Sequence, residues 1–263
     1  MADAFFVPLG DDRYTATEHT SGPWDPDAQH FGPPSALLVR GLEGLEATHP
    51  AQLARVTVEI LGPAPVAELA QRSWIERPGR SVELLQSELS ANGRLVARAS
   101  AWRIGTSDTA PIATDGGPLL PSADAGAATA FPDGWHGGYL QAIEWRAVRG
   151  AVSAPGPAAV WGRQRIPLVD GEEPSGLQRL FAIADSGNGV SHFLDAGRWW
   201  FINSELTVHL RRGPEGEWIG LDAVTLVGPH GIGTATSTLH DVSGPVGSGA
   251  QALLVRPRQA GGG

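Results

Sequence analysis

The sequence predicts an α+β fold built twice in tandem, each half one helix wrapped by an antiparallel sheet. Two observations carry this. The segment Arg55-Val-Thr-Val-Glu-Ile-Leu-Gly-Pro63 returns as Glu205-Leu-Thr-Val-His-Leu-Arg-Arg-Gly-Pro214, with Val58 over Val208 at an offset of 150 residues. The offset holds downstream, where Val82 and Ser87 fall on Ile232 and Ser237, and it is expected to slip by one at the last strand, Gly93 lying over Gly244. A period this long reads as a duplicated domain, because a solenoid repeats every 20–50 residues. The second observation is the order of elements, one helical pattern followed by a run of alternating strands, in each half.

The first half opens with turn chemistry over residues 20–34, then a helix with Ser35 as its cap and Leu37, Leu38, Leu42 and Leu45 on one face. In residues 55–60, Val56, Val58 and Ile60 alternate with Arg55, Thr57 and Glu59, the mark of a half-buried strand. Residues 69–77 and 81–90 read as two more strands. Asn92-Gly93 is a hairpin turn, since both residues tolerate positive φ. The strand 95–103 then closes the half. Residues 105–134 lack periodicity and are rich in Gly, Pro, Ala and Asp, so they read as a linker between a domain at 1–104 and another at 135–263. In the second half, strands are expected at 139–149 and 158–166, a helix from Pro174-Ser175-Gly176 to Asp185, and strands at 199–210, 218–228, 231–240 and 250–256. The glycines 261–263 are expected to fray.

Composition limits the function. The 263 residues suffice for two cores. There is no cysteine, so disulfide and thiolate chemistry are excluded and a reduced cytoplasm is the expected location. All 19 basic residues are arginine, which removes Schiff-base catalysis and the lysine of phosphate-binding loops. A net charge of −9 disfavours broad contact with nucleic acid or anionic lipid. The sequence predicts neither a membrane span nor a secretory leader. No Gly-x-Ser-x-Gly elbow or His-Glu-x-x-His spacing occurs, and no metal or redox cofactor is implied.

The duplicated helix-and-sheet pattern, with HFGPPSALLVRGL at a glycine-bearing helix start and Ile143-Glu144-Trp145-Arg146 opening the second half, resembles the double-hotdog acyl-CoA thioesterases of the thioesterase II type. The resemblance spans nearly the whole chain. It implies hydrolysis of acyl-CoA-type thioesters and lipid-metabolic substrates; homo-oligomers are expected as well, because sheets built this way leave edges or flat faces that benefit from cover.

Two residues stand out before and after that comparison. Asp185 follows the apolar run Phe181-Ala-Ile-Ala184, where a carboxylate is costly unless it is solvated, paired or used. Gln251 lies in the apolar strand Ala250 to Leu254, where its amide needs partners. The resemblance implies that both activate the hydrolytic water, with N–H groups of Gly187, Asn188 and Gly189 holding the oxyanion. It also implies a Thr or Ser hydroxyl beside them. The alignment instead puts Phe201 at that place and Asn203 where an acid belongs, with Ser204 adjacent but facing the other side. Three outcomes stay open: a local shift brings Ser204 in, Asn203 substitutes, or the site is degenerate and the protein binds acyl thioesters without cleaving them. Hydration of an enoyl thioester fits worse, because Asp185, Asn188 and His192 are spaced too widely. In the first half, Ser100 is expected to mirror Gln251, and Pro33-Pro34 removes two N–H donors from the helix start, so one active site per chain is expected.

Overall fold

A computed structural model describes residues 3–132 and 135–258; glycines 261–263 lie outside the described residues. The chain begins with a hairpin, β1 (Phe6–Gly10) and β2 (Arg13–Ala16), and continues through helix α1 (Gly32–Glu43) to β3 (Ala51–Ile60), β4 (Glu68–Arg77), β5 (Val82–Ala91) and β6 (Arg94–Gly105). A mostly exposed stretch with short 3-10 turns leads to β7 (Ala127–Ala128), α2 (Gly138–Ala142), β8 (Ile143–Arg149) and β9 (Ala158–Gln164). Next come α3 (Gly176–Ala184), α4 (Gly187–Val190), β10 (Trp199–Asn203), β11 (Glu205–Leu210), β12 (Ile219–Val227), β13 (Ile232–Asp241) and β14 (Gly244–Pro257).

All the strands join one antiparallel sheet, ordered β1-β2-β4-β5-β6-β3-β11-β14-β13-β12-β9-β8-β7, with β10 paired to β14. The two halves meet at β3 and β11, where Thr57 pairs with Thr207, Val56 with Val208 and Val58 with Leu206. Thr57 Oγ1 lies 3.0 Å from Thr207 Oγ1, so a residue and its own repeat face each other across a pseudo-dyad. The halves are therefore docked by edge pairing, and neither leaves this edge open to a stranger.

The predicted slip at the last strand does not occur. Ser87 pairs with Ala99 and Ser237 with Gly249, Ala91 with Arg94 and Asp241 with Gly244, so the 150-residue offset runs through to the end. The hairpin turns set this register: Asn92 and Gly93 have φ of 50° and 74°, and Gly244 replaces Arg94 at the strand start with φ of 120°. Consequently Gln251 corresponds to Ala101, and Ser100 corresponds to Ala250.

Three further elements differ from the sequence reading. Helix α1 starts three residues before Ser35, with Pro33 and Pro34 in its first turn, where a missing N–H costs nothing. Ser35 is thus inside the helix and buried. Residues 138–142 form a helix in place of a strand start, anchored by the Gly138 N–H donating to Ser21 Oγ at 2.8 Å. The expected strand 199–210 is interrupted at Ser204: both pieces pair with β14, but the register shifts by one residue between Asn203–Leu253 and Thr207–Ala250, and the second piece also pairs with β3.

Helix α1 is buried on nearly every side, with Leu37, Leu38, Val39 and Leu42 at 0% exposure between the first-half sheet and α3. A β-carbon on Gly32 would sit 2.3 Å from the Ala182 carbonyl oxygen, so only glycine lets the start of α1 approach the end of α3 this closely. Arg103 locks the other end of α1: its Nε donates to Glu83 at 2.8 Å, and its terminal nitrogens donate to the Leu45 and Glu46 carbonyls at 2.6 and 2.9 Å. Arg103→Met leaves Glu83 buried and unpaired, and is expected to cost about 3–5 kcal/mol in urea denaturation.

Candidate active site

The end of α3 and the short α4 place Asp185 at the seam between the halves. Ser175 caps α3, its Oγ accepting the Gln178 N–H at 3.1 Å, and the helix runs through the buried Leu180, Phe181 and Ile183 to end on Asp185. Asp185 is 3% exposed. Its Oδ1 accepts from Asn203 Nδ2 at 2.8 Å and, more weakly, from Gln251 Nε2 at 3.5 Å. Burial pushes its pKa up to about 6, and the amide hydrogen bonds from Asn203 and Gln251 limit the rise.

Gln251 is held at both ends. Its Nε2 donates to the Asp185 backbone carbonyl at 2.9 Å, and its Oε1 accepts the Asn188 N–H at 3.0 Å. The side chain thus bridges the α3–α4 turn to β14. A β-carbon on Gly187 would come within 2.9 Å of Gln251 Oε1 and 3.0 Å of Ser237 Oγ, which explains the glycine. Asn188 adds a second strut, its Nδ2 donating to the Phe201 carbonyl at 3.1 Å.

Asn203, at the end of β10, therefore occupies the place beside the carboxylate. Ser204 does not reach it: the residue is exposed and its Oγ lies 3.4 Å from the Ala252 carbonyl. The strand break turns Ser204 to the groove mouth while Asn203 stays inward. Phe201 is buried at 2%, packed edge-on against Trp24 with ring centroids 5.0 Å apart. Of the three glycine-turn N–H groups, that of Asn188 is already engaged by Gln251, leaving Gly187 and Gly189 as the oxyanion candidates.

The first half contributes a residue that the sequence reading passed over. His30, just before α1, stacks on Tyr139 at 3.8 Å and 7°. Its Nδ1 accepts the Gly32 N–H at 3.0 Å and lies 3.5 Å from Asp185 Oδ2. Burial holds His30 at a pKa of about 3, so it is neutral at physiological pH and forms no ion pair with Asp185. Tyr139 in turn donates to the Ala182 carbonyl at 2.7 Å and lies 2.8 Å from Ser186 Oγ, fixing the ring against which His30 rests. Nothing in HFGPP marks this contact, because it depends on a residue 109 positions away.

Two spaces adjoin the carboxylate. A groove of about 520 Å³ is lined by Asp185, Asn188, Asn203 and Ser204 with Trp24, Trp200 and Leu254. Behind His30 and Asn188 lies a smaller, aromatic-walled cavity of about 40 Å³. The mirror position of Gln251 is Ala101, and no amide takes its place on β6. In the first half a buried Gln71 on β4 instead binds the Leu37 carbonyl at 2.7 Å, bracing α1.

Comparison with known proteins places this geometry in context. The acyl-CoA thioesterase C-terminal domain family matches residues 123–255 and the acyl-CoA thioesterase N-terminal domain family matches residues 20–104. No curated protein matches the chain. Among solved structures, a conserved hot dog protein of unknown function from Alicyclobacillus acidocaldarius is 16% identical with a TM-score of 0.75, covering 97% of each chain. An acyl-CoA thioesterase II from Mycobacterium marinum is 14% identical with a TM-score of 0.68, covering 98% of this chain and 97% of its own. These likenesses establish the tandem hotdog fold.

Proposed function

The chain belongs to the acyl-CoA thioesterase family, and from that premise we propose that it hydrolyses acyl-CoA-type thioesters at one site, with Asp185 as general base. The observation that supports this assignment is the buried carboxylate with a pKa of about 6, held by Asn203 and Gln251 on the wall of a groove. A base poised near the working pH is partly free to accept a proton and strong enough to pull it. Asp185 removes a proton from water as the oxygen attacks the thioester carbonyl. The Gly187 and Gly189 N–H groups receive the developing oxyanion. Collapse breaks the C–S bond, and the Asp185 carboxyl returns its proton to the departing thiolate, giving a carboxylic acid and a thiol. In this reading Gln251 and Asn203 orient the carboxylate rather than contact the water, and Asn203 stands in for the hydroxyl. Phe201 then forms part of the acyl wall.

Thiol release from a panel of acyl-CoA esters tests the proposal. Binding without release would instead favour a non-catalytic acyl-thioester carrier. The pH dependence is a sharper check. The base must be ionised, so kcat/KM is expected to rise through pH of about 6 and level off above it, with no falling limb from His30, which is neutral throughout. A flat profile between pH 5 and 7 in stopped thiol assays would remove Asp185 from that role.

We also divide the chain functionally into a supporting half, 1–104, a linker, 105–134, and the half that carries the base, 135–263. The absence of cysteine supports cytoplasmic residence in this reading. Homo-oligomerisation is expected because apolar side chains at the sheet rim, Leu226, Ile232 and Leu254, are 67%, 67% and 48% exposed. Sedimentation showing only a 27.5 kDa species at micromolar concentration would refute it.

A further inference from the structure

We propose that the enzyme selects compact acyl groups, of about five carbons or fewer, because the acyl tail enters the small aromatic cavity while the pantetheine arm lies in the larger groove. This rests on the thioesterase reading above and adds the substrate class. The two spaces meet at the same residues: Trp24, His30 and Asn188 line both, with Asp185 on the groove side and Gly189 and Phe201 on the cavity side. A thioester carbonyl at that threshold has the base on one flank and the glycine-turn N–H groups on the other. Its two substituents must then go opposite ways.

The elongated arm suits the groove by length, for it is about 520 Å³ and sets Asp25, Gln29, Asn203 and Ser204 among apolar walls of Trp24, Trp200 and Leu254. The apolar tail suits the cavity, whose walls are mainly rings. That cavity measures about 40 Å³. A single water needs about 10–15 Å³ on this measure, so there is room for about three waters, or a tail of about three or four heavy atoms beyond the carbonyl. The far wall does not open readily. Trp24, Trp135 and Phe201 pack on one another at 5.0–6.4 Å, Trp135 rests on His192 at 5.7 Å, and Phe131 abuts Trp145 at 6.4 Å. A longer chain must part rings that hold each other in place. The benzo edge of Trp135 lies within 3.5 Å of where a β-carbon on Gly189 would sit, so this ring closes the cavity directly over α4.

The test compares kcat/KM for acetyl-, butyryl-, hexanoyl-, octanoyl- and palmitoyl-CoA on the wild-type enzyme and on Trp135→Ala and Trp200→Ala. Wild type is expected to favour acetyl and butyryl over octanoyl by at least about 10-fold. Trp135→Ala is expected to raise the octanoyl-to-butyryl ratio by about 10-fold or more, and Trp135→Leu, which keeps the wall apolar, by a smaller factor in the same direction. Trp200→Ala, in the groove, is expected to raise KM for every ester alike and leave the ratio unchanged. Palmitoyl-CoA turned over as well as butyryl-CoA by wild type would overturn the proposal while leaving thioester hydrolysis intact. So would a chain-length shift in Trp200→Ala without one in Trp135→Ala, because the acyl tail would then lie in the groove. No thiol release from any ester would defeat the hydrolytic reading itself, and this inference with it.

Discussion

Asp185→Asn is expected to lower kcat for thioester cleavage by about 10³-fold and, in the same protein, to raise the melting temperature at neutral pH. The two effects share one cause. Asn keeps the shape of the side chain and an oxygen for Asn203 to donate to, but it cannot take a proton from water. It also carries no charge into a site that is 3% exposed. The pKa of Asp185 in the fold is raised from 3.8 to about 6, so the folded state binds this proton more tightly than the unfolded chain does. Stability is therefore greatest below pH 3.8 as far as this group is concerned, and is lost as pH rises through about 6. At pH 7 the wild type bears the full penalty, about 3 kcal/mol at most from a shift of about two units. Asn bears none. Calorimetry at pH 7 should show a gain of several degrees, and the gap between variant and wild type should close toward pH 4. A variant that loses activity and stability together would mean that Asp185 is a structural residue.

That trade-off also shows what a single sequence can reveal about this molecule. The fold was legible because strand alternation and the 150-residue offset are local patterns repeated twice, and repetition filters out accident. The register at the last strand was not, because the two turns differ in letters and place their positive φ differently, at Asn92 and Gly93 in one and at Gly244 in the other; only the pairing of Ser87 with Ala99 and Ser237 with Gly249 fixes the register. Asp185 could be found as a charge in an apolar run. The Asn203 contact could be narrowed to three options and no further, since the choice depends on a strand break at Ser204 that no propensity announces. His30, Trp24 and Trp135 escaped notice for a different reason: each meets the site across the seam or from just past the linker, and sequence spacing carries no information about such contacts.

Gln251→Leu separates positioning from proton transfer, because its effect on stability has the opposite sign. Leu fills nearly the same volume but offers neither donor nor acceptor. The Asn188 N–H loses its acceptor in a buried site, and the Asp185 carbonyl loses its donor, so the fold is expected to weaken by about 1–3 kcal/mol. Catalysis should fall less than in Asp185→Asn, by about 10- to 100-fold, since the base remains but the α3–α4 turn that aims it is loosened. The pH profile supplies the signature that mere destabilisation cannot imitate. The Gln251 hydrogen bond lowers the pKa of Asp185, so its removal should move the rising limb of kcat/KM above pH 6. Ser100→Ala is the control: its hydroxyl accepts from Gln86 Nε2 at 3.2 Å, away from Asp185, and neither rate nor limb should change. If Gln251→Leu lowers the rate with the limb unmoved, the amide acts on the substrate or its water and not through the carboxylate. If Ser100→Ala costs as much as Asp185→Asn, the site belongs in the other half.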